Sequence, residues 1–507
     1  MRNFDGNQIM KSLVLAVLLS MSFSLFATSK RPDTVLLICH DSHVQAWQTF
    51  ANWKTSIGKS TKIISTKTIA EKYNGKDIQE KIRLCCVDHI KNNGTKWVIL
   101  GGDSQPGGKG LVPDRDTAHR NMFAKYNDIP TDVYYLSEKN WDANGDGIYG
   151  VWGQDNANIS YINTKATIGR IPIRTVADIK AYTDKIIAYE SKYPEKNFAS
   201  NMVYTCPERG AYNKLHTSKN ELGESWKGGQ LMQYFGNKTP WDKKRAGDHE
   251  LLPNNWVSLI NNKSTGKMHI HGHGFLPVWV LEKKQTVNAR HVNQLKNENA
   301  YLTMTTVSCF TGQYDSVKDP SITESMLRKP KGGAVIILAP SREGVPVFHN
   351  PRIDFGLMAQ GKMDGTTGTL TNFWRHALSE DLTAGEAMRA AKIDMLDDAK
   401  KSANYHYIQC EINLLGDPTL DLRARNPKTP KIVAAKSIKK GKQKLLIKTD
   451  TAHATVCLWD GKDLYHTAKT DSKGQLSLSI NPSKAGTINL TVSGPSLNVS
   501  SHKITVN

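Results

Sequence analysis

The segment from Lys267 to Tyr314 constrains the fold of this chain more than any other. It reads KMHIHGHGF, then a polar interval, then TMTTVSCFTGQY. Each half is a short apolar run that stops at a reactive residue: Gly272-His273-Gly274 in the first, Ser308-Cys309 in the second. A run of that length bounded by turn signals predicts a buried strand of a parallel α/β sheet. Ligands of such sheets lie at the carboxyl ends of the strands, so His273 and Cys309 are expected at one rim. Their separation leaves room for one helical crossover and the return strand. An imidazole beside a thiol supplies the base that makes it a nucleophile and the acid that protonates a leaving group. Gly274 lets a substrate backbone approach, and the amides of Gly274 and Cys309 are candidate oxyanion donors. The expected chemistry is cysteine-based hydrolysis.

At 507 residues the chain has the length of two or three domains, each with ample core. Residues 1–27 read as a secretory signal: Arg2 and Lys11 precede an apolar run from Leu13 to Phe26 that ends at Ala27. That run is too short to favour a spanning helix, and no later run is long enough. The expected product is an exported chain that is secreted, periplasmic or held at the cell surface, with no transmembrane segment once mature. The formal charge of +20 comes from lysines spread over the whole chain, without an aromatic-interleaved basic stripe. A protein or peptide partner is therefore expected rather than a specific nucleic acid. Seven cysteines leave at least one free thiol or an intermolecular bridge. Cys39, Cys85 and Cys86 fall on apolar faces and read as small buried hydrophobes, whereas Cys309 has a polar setting.

Along the chain, strands are predicted at Thr34–Cys39, Lys62–Ser65, Trp97–Leu100, Met202–Thr205 and Gly333–Leu338. Helical stretches alternate with them, which predicts a parallel sheet. Ile78, Ile82, Cys85, Cys86 and Ile90 recur at helical spacing, Thr175 and Asp178 form a capping box, and Thr383 with Glu386 opens a late helix. A further helix is expected near Ser218–Tyr234. Gly101-Gly102-Asp103 reads as a tight turn with Asp103 at the sheet rim. INLLGDPTLDL from Ile412 closes the α/β part. Beyond Arg423 short alternating runs (LLIKT, ATVCLWD, LSLSI, INLTVS) are separated by turns, the pattern of a small β-sandwich. The expected division is a signal at 1–27, an N-terminal α/β subdomain at 28–198, a catalytic α/β subdomain at 199–425 and a β-sandwich at 426–507.

Two further constellations carry chemistry. Asp142, Asn144, Asp146 and the carbonyl of Ile148, with Gly147 between them, match the first half of a calcium loop; Asp155 stands where the shell would close. His269, His271 and His273 alternate on a strand, so three imidazoles on one face are a candidate zinc site for a metal-dependent hydrolase. A third reading is a non-catalytic surface-adhesion protein built on a peptidase scaffold.

Taken together, Gly272-His273-Gly274, Ser308-Cys309 with Gly312, IGRIPI at Ile168–Ile173 and LLGDPTLDL at Leu414–Leu422 resemble the gingipain-type cysteine peptidases of the caspase–legumain–gingipain clan. The resemblance covers about Thr34 to Arg423. It implies a caspase-like fold of parallel sheets flanked by helices in two subdomains, trailed by an immunoglobulin-like β-sandwich. It also implies an endopeptidase in which Cys309 is the nucleophile, His273 the general acid/base, and the amides of Gly274 and Cys309 the oxyanion donors. Glu208 matches an acidic residue that orients the histidine, and calcium would be structural. The primary pocket departs from the family. Its acid aligns with Asn220, or with Glu221 after a one-residue shift, and the aromatic residue expected after GAVIIL is missing. Arg342 is expected near that pocket, where it would repel a basic side chain.

Overall fold

The computed structural model describes residues 32–107, 109–119, 126–155, 160–194, 198–206, 229–235, 250–281, 284–345 and 365–507. Glu208, Asn220 and Glu221 lie outside the described residues. Ten short strands build one sheet: β1 Val35–Cys39, β2 Thr61–Ser65, β3 Trp97–Gly101, β4 Thr167–Arg170, β5 Asn201–Cys206, β6 Gln230–Phe235, β7 Lys267–Ile270, β8 Leu302–Thr306, β9 Ala334–Pro340 and β10 Ile412–Gly416. Their order is β6-β5-β7-β8-β9-β10-β4-β3-β1-β2. Every pair with a register of several residues is parallel except β9 with β10, where Pro340 faces Ile412 and Ile336 faces Gly416; β10 meets β4 through the single pair Leu415 and Arg170.

Asp103 follows β3, buried and paired with Arg174, and Arg174 also donates to the Ser316 carbonyl beyond Cys309 at 2.6 Å. Cys309 follows β8. The stretches 28–198 and 199–425 contribute to one continuous sheet, in which β10 from the second pairs with β4 from the first.

The strands are apolar because helices cover both faces, leaving no solvated side to alternate toward. Val35–Cys39 is wholly buried, and so is Ala334–Pro340. Helix α1 (Val44–Ser56) packs against α2 (Val176–Ser191), which opens on the capping box of Thr175 and Asp178. The capping box of Thr383 and Glu386 likewise opens Ala384–Asp394. Cys39, Cys85 and Cys86 are fully buried, each with its thiol pushed up by burial, to about 12 for Cys39 and about 11 for Cys85. The helix expected near Ser218–Tyr234 does not reach Gln230: Gln230–Phe235 is the edge strand β6, paired residue for residue with Asn201–Cys206. QLMQYF carries two strand-favouring aromatics, and pairing with β5 supplies the backbone partners that helical periodicity would otherwise offer.

Beyond Arg423 the chain forms two sheets around a second core. Gln443–Thr449 pairs with Ile432–Val433 and Gln475–Ile480 in the first; Ser437–Ile438, Ser500–Val506, Gly486–Ser493, Thr455–Trp459 and Tyr465–Lys469 form the second. Leu445, Ile447, Val456, Leu458, Leu490 and Ile504 fill the space between them. The sandwich rests on main-chain carbonyls of the α/β part, with the Val499 N–H donating to the Glu190 carbonyl at 2.8 Å and the Ser493 hydroxyl to the Ile57 carbonyl at 3.2 Å.

Candidate active site

The register of β7 and β8 brings together the turns that carry His273 and Cys309. Lys267 pairs with Thr303 and Ile270 with Thr306, and the Val307 N–H extends the ladder by donating to the Ile270 carbonyl at 3.0 Å. Continued step for step, that register sets His273 level with Cys309, each three residues past its strand. The two turns also touch. A Cβ placed on Gly274 would lie 2.5 Å from Thr311 Cγ2, 2.7 Å from Ser308 Cβ and 3.2 Å from the Cys309 carbonyl oxygen. Only glycine allows the chain after the histidine to lie this close to the Cys309 turn.

Gly274 also has the right pairing to leave its amide unspent. It opens a hairpin in which it faces Trp279 and Phe275 faces Val278, and the Val280 N–H donates to the His273 carbonyl at 3.0 Å. Gly274 is then the non-hydrogen-bonded member of the ladder, whose N–H points out of the hairpin. Such an amide is available to a developing oxyanion.

The Cys309 turn is held from below. The Phe310 N–H donates to the Arg342 carbonyl at 2.7 Å, the Gly312 N–H to the Pro340 carbonyl at 2.9 Å, and the Thr311 hydroxyl to the Ser308 carbonyl at 2.7 Å. Phe310 takes a φ of 59°, a left-handed conformation that costs a side-chain-bearing residue about 1–2 kcal/mol. The Cys309 thiol donates to the Gly344 carbonyl at 3.7 Å and is half-buried. Burial pushes that thiol above its ordinary range; the Gly344 contact opposes the shift, and Glu411 and Glu343 add to it. Burial thus disfavours the thiolate, and attack by this sulfur calls for a base to take its proton. Gly344 escaped the sequence analysis. Its Cα lies so near the Val307 carbonyl that an added Cβ would be 2.0 Å from that oxygen.

Several expected residues have other occupations. Arg342 is 3% exposed, paired with Asp315 at 2.8 Å and Asp128 at 3.4 Å, and donates to the Ser341 carbonyl at 2.8 Å. It is a buried tie between the strand end after β9 and the segment after Cys309, with its charge already met, so it does not stand free in a substrate pocket. The single face expected for His269, His271 and His273 also fails, because β7 ends at Ile270 and the strict alternation ends with it. His269 is buried with Nδ1 2.7 Å from the Thr305 hydroxyl, and burial pulls it down to about 3; His271 is buried beside it, while His273 is exposed. Among the described residues no three His, Cys, Asp or Glu side chains gather as a metal site.

The acidic loop folds on its own amides. Asp142 accepts from the Gly147 N–H at 3.2 Å, Asn144 from the Asp146 N–H at 3.2 Å, and Asp146 from the Ile148 N–H at 2.8 Å. Asp142 also pairs with Lys76 at 3.3 Å. Asp155 is 1% exposed and accepts from the Ala143 and Val151 N–H groups at 2.7 and 2.9 Å, which ties the loop at its base. The donors at Asp142, Asn144, Asp146 and the Ile148 carbonyl are all hard oxygens, a set that fits calcium and not zinc.

The two remaining sequence motifs hold the scaffold. Arg170 of IGRIPI is fully buried, bidentate to Asp132 at 2.6 and 2.9 Å, and stacked 4.6 Å from the ring centre of Tyr314, five residues past Cys309. Asp417 of LLGDPTLDL is fully buried and meets Lys54 at 2.6 Å.

A family model described as peptidase family C25 matches residues 28–423. No curated sequence matches the chain. The fold is similar to that of the Arg-specific cysteine proteinase gingipain R (RgpB), with a TM-score of 0.71 at 18% identity over 94% of this chain and 99% of that one. The complex of Porphyromonas gingivalis RgpB pro- and mature domains gives a TM-score of 0.68 at 17% identity, over 93% of this chain and 100% of that one. A structure described only as a protease gives 0.69 at 15%, over 94% and 98%. With the family model spanning most of the chain, it belongs to peptidase family C25, the gingipain-type cysteine endopeptidases.

Proposed function

We propose that the chain is an exported endopeptidase that cleaves peptide bonds with Cys309 as nucleophile and His273 as general acid/base. The observation that carries this reading is the shared register of β7 and β8, which sets both residues three positions past paired strand ends. Sγ attacks the carbonyl carbon while its proton passes to the His273 imidazole. The Gly274 and Cys309 amides hold the oxyanion. The imidazole returns the proton to the departing nitrogen, leaving a thioester and a free amine. Water then attacks the thioester with His273 as base, which releases the acid and regenerates the thiol.

Glu208, as the residue that orients His273, and Glu221, as a pocket acid, belong to the same proposal and lie outside the described residues. Export rests on the signal-like segment at 1–27; among the described residues no helix is long and apolar enough to cross a membrane. The sandwich beyond Arg423 is read as immunoglobulin-like. Calcium would sit among Asp142, Asn144, Asp146 and the Ile148 carbonyl, with Asp155 bracing the loop, and would serve stability rather than chemistry. A chelator is expected to lower Tm by a few degrees, and excess calcium to restore it by mass action. A Tm indifferent to both would remove the metal from the proposal.

The direct test of the dyad uses a peptide bearing a thiol-reactive electrophile at the scissile position. One equivalent is expected on Cys309 by peptide mapping, with labelling slowed in His273→Ala because the protonated thiol loses its base. Label on another cysteine, or a rate indifferent to His273, would reject the assignment.

A further inference from the structure

The hairpin that follows His273 has two unlike faces. In an antiparallel pair, directly opposed residues share a face and neighbours along the strand alternate. Gly274 faces Trp279, and Trp279 faces Val287, so these three lie on one side. Trp279 and Val287 are fully buried, and the Trp279 ring lies 6.0 Å from that of Trp256. The other side carries His273, Phe275, Val278 and Val280: Phe275 faces Val278, and His273 stands opposite Val280 through the 3.0 Å main-chain bond. Phe275 is 62% exposed, and the two valines are half-buried. The turn of this hairpin is anchored, because the Leu276 carbonyl accepts from the Ile322 N–H at 2.8 Å, where the helix Ile322–Arg328 begins.

A single exposed phenylalanine needs no explanation. This one lies on a rigid support, two residues from the imidazole and on its side of the hairpin, with two valines completing an apolar surface. Which part of a substrate would meet it follows from proton transfer. The imidazole must reach the departing nitrogen, and that nitrogen carries the residue immediately after the scissile bond. The cysteine and the oxyanion amides hold the acyl half instead.

We propose that Phe275, Val278 and Val280 form the subsite for the side chain immediately after the scissile bond, and that this subsite selects large apolar residues there. The inference rests on His273 being the general acid, as proposed above.

The test is a peptide series that differs only in the residue after the cleaved bond: Leu, Phe, Gly, Asp and Lys. For the wild-type protein, kcat/KM with Leu or Phe is expected to exceed that with Gly by about tenfold or more, the discrimination a few buried carbons provide. Phe275→Ala should bring that ratio close to one, and Phe275→Asp should favour Lys. Val433→Ala, an equally exposed apolar residue on the sandwich, should keep the wild-type ratios. A second readout is capture of the thioester by added amines, in which the new C–N bond forms as the C–S bond breaks and the thiol is released. Leucinamide should outcompete glycinamide, and Phe275→Ala should abolish that preference. Equal wild-type rates with Leu and Gly, or ratios unchanged in both Phe275 variants, would overturn the subsite while leaving the dyad standing. Turnover that survives Cys309→Ala would instead reject the dyad and the subsite with it. Phe275 is exposed, so a thermal melt matching wild type is expected to accompany each variant.

Discussion

Cys309→Ala is expected to reduce peptide hydrolysis to background, and His273→Ala to cost about 10²–10⁴-fold in kcat/KM. The asymmetry follows from the roles. Without the sulfur there is no covalent route, because Gly274 and the other amides can only stabilise an oxyanion that some nucleophile has already created. Without the imidazole the thiol is still present, but burial disfavours its thiolate and the amine leaves unassisted. The double variant should be no slower than Cys309→Ala, since the two act in one step and their losses do not add. Thermal stability should hardly change in either, because Cys309 is half-buried and His273 exposed. Measured turnover of a mixed peptide library by Cys309→Ala above that of a buffer blank would sink the dyad.

The largest loss of stability is expected far from the site, in Lys54→Met. Lys54 is fully buried in α1, and its ammonium lies 2.8 Å from Glu190 and 2.6 Å from Asp417. Glu190 also accepts from the Trp53 indole at 2.7 Å and stands 3.5 Å from Lys59. Methionine fills much of the same volume but leaves two carboxylates with only the partly exposed Lys59 to answer them. Removing one partner of a buried ionic group costs about 3–5 kcal/mol, far more than a surface pair contributes. Glu190 further carries the carbonyl that receives Val499 from the sandwich, so the loss should spread to that contact. Burial alone would raise the Glu190 pKa, but Lys54 and Lys59 outweigh it and hold the value below the ordinary glutamate range. In the wild type, the stability this contributes is complete above that range and drains as pH falls through the lowered value. Chemical denaturation of Lys54→Met within about 1 kcal/mol of wild type would show that the triad is not a net stabiliser.

The same triad shows what sequence reasoning could and could not reach. LLGDPTLDL was recognisable as a string, yet nothing in the string says that Asp417 answers a lysine on α1. IGRIPI is similar: Arg170 reads as an interruption of an apolar run until its guanidinium is seen spanning Asp132 and the Tyr314 ring. Arg342 was read as a free charge near substrate because its partners, Asp128 and Asp315, lie 214 and 27 positions away. Charged groups reveal their role only through their partners, and partners distant in sequence leave no local periodicity. The hairpin face bearing Phe275 was missed for a related reason, since GFLPVWV is too short and too uniformly apolar for alternation to tell an inner from an outer side.

Composition and local pattern were enough for the strands, the capping boxes and the buried cysteines, because each depends on neighbours within a few residues. A strand's burial follows from its run of apolar side chains, and a cap from a hydroxyl three residues before an acid. The tertiary structure alone decided that β9 and β10 run antiparallel within one sheet of ten strands. It alone paired Lys267–Ile270 with Thr303–Thr306, the strands that precede His273 and Cys309. Hydrogen bonds between strands carry no trace in either strand's own sequence, so that alignment becomes visible only once the chain has folded.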